Sequence, residues 1–172
     1  MGIIIIIIFI ILDVDIIRMK ESVSAIVVMP SFGFVTLIEN LSDNSVIIKC
    51  KLSGLPAGKK LGMHIHQWGD IRDCLSTGPH YNPHHKHHGG PHDIIKHPGD
   101  LGNLKIKSDG SCNQRIKITG LKLSGKYSVI GRALVIHDGE DDLGKGGTEL
   151  SLTTGNSGKR LTCGVIGLSS QQ

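Results

Sequence analysis

Ten histidines lie between His64 and His137, and imidazole nitrogen is the ligand type that zinc and copper share. His64 and His66 flank one isoleucine. On a strand that spacing puts both rings on one face, where they can meet a single ion. His80, His88 and His97, followed by Asp100, offer three nitrogens and a carboxylate oxygen, enough to close a tetrahedral site around redox-inert zinc. His137 ends the apolar run Ala133-Leu134-Val135-Ile136. Together these donors suffice for two different ions, so the chemistry indicated is that of a metal site. Each piece also has a plainer explanation. An isolated H-x-H is more often a pair of exposed strand histidines. His84, His85, His87 and His92 read as the solvated surface of a histidine-rich loop, and an unspecific metal-scavenging tract accounts for the segment as a whole.

The elements that must hold these groups are strands. Short alternating or apolar runs recur at 24–29, 34–39, 46–52, 61–66, 104–107, 112–118, 133–137 and 161–166, with turn residues between them, the signature of an all-β sandwich or barrel. Ile48, Cys50 and Leu52 alternate with Lys49 and Lys51, which gives that strand one buried and one wet face. Ser108-Asp109-Gly110 carries hairpin-turn chemistry between two of the runs. Residues 68–100 and 138–159 have almost no strand signal, and loops of such length in a compact domain are usually functional or disordered. Ligation of a metal would explain how they stay ordered. The glycines of Gly144-Lys145-Gly146-Gly147 do not fit a phosphate loop and are read as suppliers of positive φ.

A chain of 172 residues is about one domain's worth and can bury a real core. With aromatics at only 3%, that core must be built from Val, Ile and Leu. The net charge of +4 is spread over mixed acidic and basic residues, and the densest basic stretch, 84–88, lacks interleaved aromatics, which argues against a nucleic-acid partner. Residues 3–12 are nearly pure Ile, too short for a helical membrane span of ~20 residues. No basic residue precedes them and no small-residue cleavage site follows directly. Residues 1–18 are therefore expected to lie outside the fold, as a leader or an upstream start, with the domain at 19–172. Secretion is the alternative, with 1–18 as a signal peptide. Four cysteines allow three full pairings. Cys50 sits in an alternating run as a small apolar residue, and Cys112 is left as a free thiol of unknown exposure.

The runs GMHIHQWGD (62–70), GPHYNP (78–83), HGGP (88–91), HPGDLGN (97–103), IGRALVIH (130–137), DDLGKGG (141–147) and TGNSGKRLTCGVIG (154–167) closely resemble copper/zinc superoxide dismutase. The resemblance covers roughly residues 20–169, in order. It implies an eight-stranded Greek-key β-barrel or sandwich with two long functional loops. It implies copper on His64, His66, His80 and His137, and zinc on His80, His88, His97 and Asp100, with His80 shared between the ions. Asp141 would link a copper histidine to a zinc histidine, Cys74 and Cys163 would form the disulfide, and Arg160 would be the catalytic arginine beside copper. The implied reaction is superoxide disproportionation in antioxidant defence, with His80 providing a proton for peroxide. A homodimer, loading by a copper chaperone and a cytoplasmic location come with the resemblance.

This chain departs from the family's common pattern at Leu150 and Thr153, where a second acid and a lysine often stand, and at Gln67-Trp68, which replaces an acid–Phe pair. The rival from another class is a copper-buffering or copper-delivering β domain without enzymatic activity. Delivery proteins related to this family carry an additional C-x-x-C domain, and no C-x-x-C occurs here.

Overall fold

The computed structural model describes residues 22–170. The N-terminal extension 1–18 lies outside them, as do residues 19–21 and 171–172 of the expected domain. Alternating burial makes the strands: β1 (Ser22–Met29), β2 (Gly33–Asn40), β3 (Ser45–Leu52), β4 (Lys60–His66), β5 (Asp100–Lys105), β6 (Cys112–Thr119), β7 (Ala133–His137), β8 (Arg160–Val165) and β9 (Gly167–Leu168). Two antiparallel sheets result, one in the order β6-β3-β2-β1-β9 and one in the order β5-β4-β7-β8. The chain passes from sheet to sheet at β3–β4, β5–β6, β6–β7 and β8–β9, which produces the Greek-key sandwich.

The core lies between the sheets. Val27, Leu37, Ile48, Leu61, Met63, Ile65, Leu104, Leu134 and Ile136 are buried there, with Tyr81 its one buried Phe, Tyr or Trp among the described residues. Aliphatic packing thus replaces aromatic bulk, as the composition requires. The β6–β7 crossover is pinned from below by the buried Glu39, whose Oε2 accepts from the Leu123 amide at 3.1 Å and the Ser124 hydroxyl at 2.8 Å.

Three local expectations are revised. A ninth strand, Gly167–Leu168, pairs with β1 at Ala25 and Ile26; two residues are too few to show an alternation. β5 runs from Asp100 to Lys105 rather than over 104–107. Asp and Gly within Asp100-Leu101-Gly102-Asn103 hide the strand, yet it pairs Asn103 with Gly62 and Asp100 with His64. Finally, Ser108-Asp109-Gly110 does form a tight turn, with the Gly110 amide donating to Lys107 O at 3.0 Å and Gly110 at φ 77°, but it joins strands of different sheets. β5 is already paired to β4, while the free edge of β3 takes β6 in an eight-residue register.

Candidate metal centre

Strand parity places the histidines. On β4, Leu61, Met63 and Ile65 fill the core, so His64 and His66 share the opposite face. On β7, Leu134 and Ile136 point inward, leaving His137 on the same outer face as His64 and His66. Register sets His64 opposite Val135 and His66 opposite Ala133, and a bulge between Ile136 and His137 brings His137 opposite Arg160. The loops 67–99 and 138–159 cover this face. His80 is carried onto it by a bridge to His66, supported by hydrogen bonds from the Tyr81 amide to Ile65 O at 2.8 Å and from the Ile65 amide to Gly99 O at 2.9 Å. These four histidines, with His88, His97, Asp100 and Asp141, are at most 5% exposed.

Hydrogen bonds decide which nitrogen of each ring carries the proton. His64 donates Nε2–H to Asp141 Oδ2 at 2.8 Å. His66 donates Nδ1–H to Gly78 O at 2.7 Å, and His137 Nδ1–H to Gly158 O at 3.3 Å. His88 donates Nε2–H to Asp141 Oδ1 at 2.8 Å, and His97 Nε2–H to Lys86 O at 2.9 Å. Each ring therefore turns its other nitrogen the opposite way. His64 Nδ1, His66 Nε2, His80 Nε2 and His137 Nε2 are buried without any hydrogen-bond partner, an arrangement that costs free energy unless something binds there. These four residues bring ligand atoms within 4.8 Å of one another.

The second group gathers on Asp100. Its Oδ2 is held by the amides of His97 at 2.8 Å and Gly89 at 3.1 Å. Its Oδ1 then meets His80 Nδ1 at 3.1 Å, His97 Nδ1 at 3.1 Å and His88 Nδ1 at 2.9 Å. His88 Nδ1 lacks hydrogen-bond geometry toward that oxygen, so the two atoms lie side by side rather than aimed at each other. A tetrahedron with ligand bonds of ~2.0 Å has edges of ~3.3 Å, and these separations fit it. A mutually close set of four residues here comprises His64, His80, His88 and Asp100. His64 belongs chemically to the first group, because its Nε2 is taken by Asp141 and its Nδ1 faces the other rings. His97 joins the second through its contact with Asp100 Oδ1. Of the six histidines, only His80 has neither nitrogen taken by a backbone carbonyl or by Asp141: its Nδ1 faces Asp100 Oδ1 and its Nε2 lies unpartnered in the first group.

Electrostatics keep the rings neutral on one side and the carboxylates charged on the other. Burial, then the neighbouring His80, pushes His64 down to about 3 and His66 to about 2. Burial lowers His137 to about 4, and the Arg160 charge adds to the depression at both His66 and His137. Burial opposes protonation at His88 too, but Asp100 and Asp141 overcome it and raise the ring to about 9. Burial works against ionising Asp100 and Asp141, yet the surrounding histidines hold both carboxyls far below the usual range. Neutral imidazole and ionised carboxylate are the forms that bind a cation, so His64, His66 and His137 are ready to ligate whereas His88 gives up a proton to do so.

Arg160 stands at the rim, half-buried. Its Nη1 donates to Cys74 O at 2.7 Å, Leu75 O at 2.9 Å and Thr77 Oγ1 at 3.0 Å, and its Nη2 to Gly78 O at 2.7 Å. The bond between Cys74 and Cys163 ties that loop to β8, with Cα atoms 5.7 Å apart. Cys50 and Cys112 are free and buried, and burial pushes the Cys50 thiol up to about 12. His84, His85, His87 and His92 are exposed; His84 packs edge-on against Tyr127 at 4.9 Å.

Several contributors left no mark in the sequence. Asn103 clamps Asp141 from both sides, donating to its carbonyl and accepting from its amide at 2.8 Å each. Gly155 lies against the Asp141 carboxylate. The carbonyls of Gly78 and Gly158 set histidine tautomers, and a backbone atom carries no residue-type signal.

The family model described as copper/zinc superoxide dismutase (SODC) matches residues 31–166. The chain is 47% identical over 138 residues to the superoxide dismutase (Cu-Zn) of Cryptococcus neoformans var. grubii, a match spanning 80% of this chain and 90% of that protein. It is also 47% identical over 137 residues to the superoxide dismutase (Cu-Zn) of Yarrowia lipolytica, spanning 79% and 89% respectively.

Proposed function

Since the chain belongs to the copper/zinc superoxide dismutase family, we propose that it disproportionates superoxide to dioxygen and hydrogen peroxide at the histidine cluster on the outer face of the β5-β4-β7-β8 sheet. It is an oxidoreductase with copper and zinc as cofactors. The proposed ligands are His64, His66, His80 and His137 for copper, and His80, His88, His97 and Asp100 for zinc. One observation carries the assignment: four buried imidazole nitrogens without partners converge beside a carboxylate-centred group, and one ring belongs to both.

Bound copper, cycling between Cu(II) and Cu(I), supplies the electron exchange, and zinc supplies a fixed positive charge. The chain's own residues do the rest. Arg160 attracts the superoxide anion and orients it, since a guanidinium clamped by four neutral acceptors keeps its charge at any working pH. His80 would hold a proton at Nε2 and give it to the peroxide product, whose second proton would come from solvent. Asp141 fixes the orientation of His64 and His88 together, so that the two halves of the site stay aligned.

A twofold homodimer is part of this reading. Val28, Trp68 and Leu168 expose apolar surface at 65%, 52% and 67% near the 164–167 end that the family resemblance places at the interface. Loading by a copper chaperone and a cytoplasmic location are proposed with it. No helix among the described residues is long and apolar enough to cross a membrane. Residues 1–18 are proposed to lie outside the domain; N-terminal sequencing of native protein tests this and the secreted alternative. For the reaction, superoxide turnover of the copper- and zinc-loaded protein is compared with that of His137→Ala. Turnover lost in the variant supports the assignment. A full metal load without turnover in the unsubstituted protein would favour the copper-binding rival.

A further inference from the structure

A groove of about 570 Å³ opens where the first long loop meets Arg132 and the Leu152-Thr153 stretch of the second. Of the metal centre only His80 and His97 line it; His64, His66, His137 and Arg160 do not. Its cationic groups are Arg132 and Lys86, with the exposed His85 and His87 beside Lys86, and the lining contains no carboxylate.

Arg132 is held through its guanidinium, Lys86 through its backbone. Arg132 lies over the Tyr81 ring, 3.9 Å from its centroid, and donates Nη1–H to Gln67 O at 2.7 Å and Nε–H to Ser128 O at 3.3 Å. Both acceptors are neutral carbonyls, so no carboxylate is paired with the guanidinium there and it has N–H groups to spare. The Lys86 backbone is gripped three ways. Asn82 donates Nδ2–H to its carbonyl at 2.8 Å and accepts its amide at 3.0 Å, and His97 donates Nε2–H to the same carbonyl at 2.9 Å. Its exposed side chain pairs with no acid among the described residues. One fixed guanidinium and one ammonium on a fixed backbone position, in a cavity of small-molecule size whose lining has no carboxylate, are suited to a ligand bearing two multiply charged oxyanion groups. Phosphoryl groups match guanidinium bidentately and ammonium as a point charge.

We propose that this groove binds a small organic molecule carrying two phosphoryl groups, one held by Arg132 and the other by Lys86. The site is independent of the superoxide reaction. The test is titration calorimetry of the full-length copper- and zinc-loaded protein at low salt with fructose 1,6-bisphosphate as probe, and orthophosphate as the comparison. One saturable site per chain is expected, with orthophosphate about tenfold weaker or more. Lys86→Gln and Arg132→Gln should each weaken binding roughly tenfold or more, the value of a charged hydrogen bond. Lys49→Gln on β3 and Arg160→Gln should leave it unchanged. Should Arg132→Gln fail to fold, Lys86→Gln decides, because its side chain is solvent-exposed. Absence of saturable binding overturns the proposal. So does an equal loss in Lys49→Gln, a loss confined to Arg160→Gln, or heat that tracks release of metal from the protein.

Discussion

Replacing Gly155 with alanine should uncouple the two halves of the metal site without touching a ligand. Gly155 sits at φ +65°, and a Cβ built there would lie 2.0 Å from Asp141 Oδ1 and 2.5 Å from His88 Nε2. Ordinary Cβ contacts fall at 3.4–4 Å, so one of the partners must give way. Neither is free to do so: Asp141 Oδ1 accepts from His88 Nε2 at 2.8 Å and the Leu143 amide at 2.7 Å, and Asn103 holds the Asp141 backbone. A left-handed alanine costs roughly 1–2 kcal/mol. A broken charge-assisted hydrogen bond adds about 1.5–3 kcal/mol. The zinc-loaded variant should therefore lose about 2.5–5 kcal/mol of stability. Zinc affinity should fall about 10–100-fold, as when a ligand histidine loses its orienting partner. Competition with a chromophoric chelator measures the affinity, and thermal unfolding the stability. Gly147→Ala is the control, since Gly147 has φ +72° with nothing within 4 Å; it should show only the backbone strain. If the two variants bind zinc equally well and unfold alike, the idea that Gly155 makes room for the Asp141 bridge is wrong.

Acid should weaken the metal-free protein. His64, His66 and His137 have folded values of about 3, 2 and 4, below the unfolded value of ~6.5. The unfolded chain thus binds more protons as pH falls through 6.5, and stability drops by about 2 kcal/mol per ring by pH 5. His88, raised to about 9, acts in the opposite direction between 6.5 and 9. A metal-free melting temperature that holds steady from pH 7 to 5 would contradict this. Cys163→Ser should cost roughly 4–5 kcal/mol, because the bond closes a sequence separation of 89 residues. It should also lower turnover with metals still bound, as the loop supplying the Cys74 and Leu75 carbonyls to Arg160 loosens; a denaturation midpoint equal to that of the parent chain would argue otherwise. Leu150 and Thr153 are exposed neutral residues on the second loop, so in the proposed reaction steering would rest on Arg160 with Lys159 or Lys145. Activity should then decline only gently as salt screens charge. A steep decline that persists in Lys159→Ala and Lys145→Ala would refute that.

Alternation was enough to reveal most of the fold. The apolar–polar period of β3 gave that strand its two faces and the H-x-H spacing on β4 paired His64 with His66, because successive side chains of any strand point to opposite faces whatever the surroundings; β7, an unbroken apolar run up to His137, carried no such period. The low aromatic content foretold an aliphatic core, and the two strandless stretches are the loops that cover the site. Tertiary structure decided what no local period encodes. It separated the buried His80, His88 and His97 from the exposed His84, His85, His87 and His92, although all seven share one loop and one chemistry. It began β5 at Asp100, and it assigned each ring its proton through carbonyls and carboxylates from distant parts of the chain, Gly78 for His66, Gly158 for His137 and Asp141 for His64. Strand faces follow from backbone geometry within a few residues, whereas a ligand's free lone pair depends on an acceptor that only folding brings to its other nitrogen.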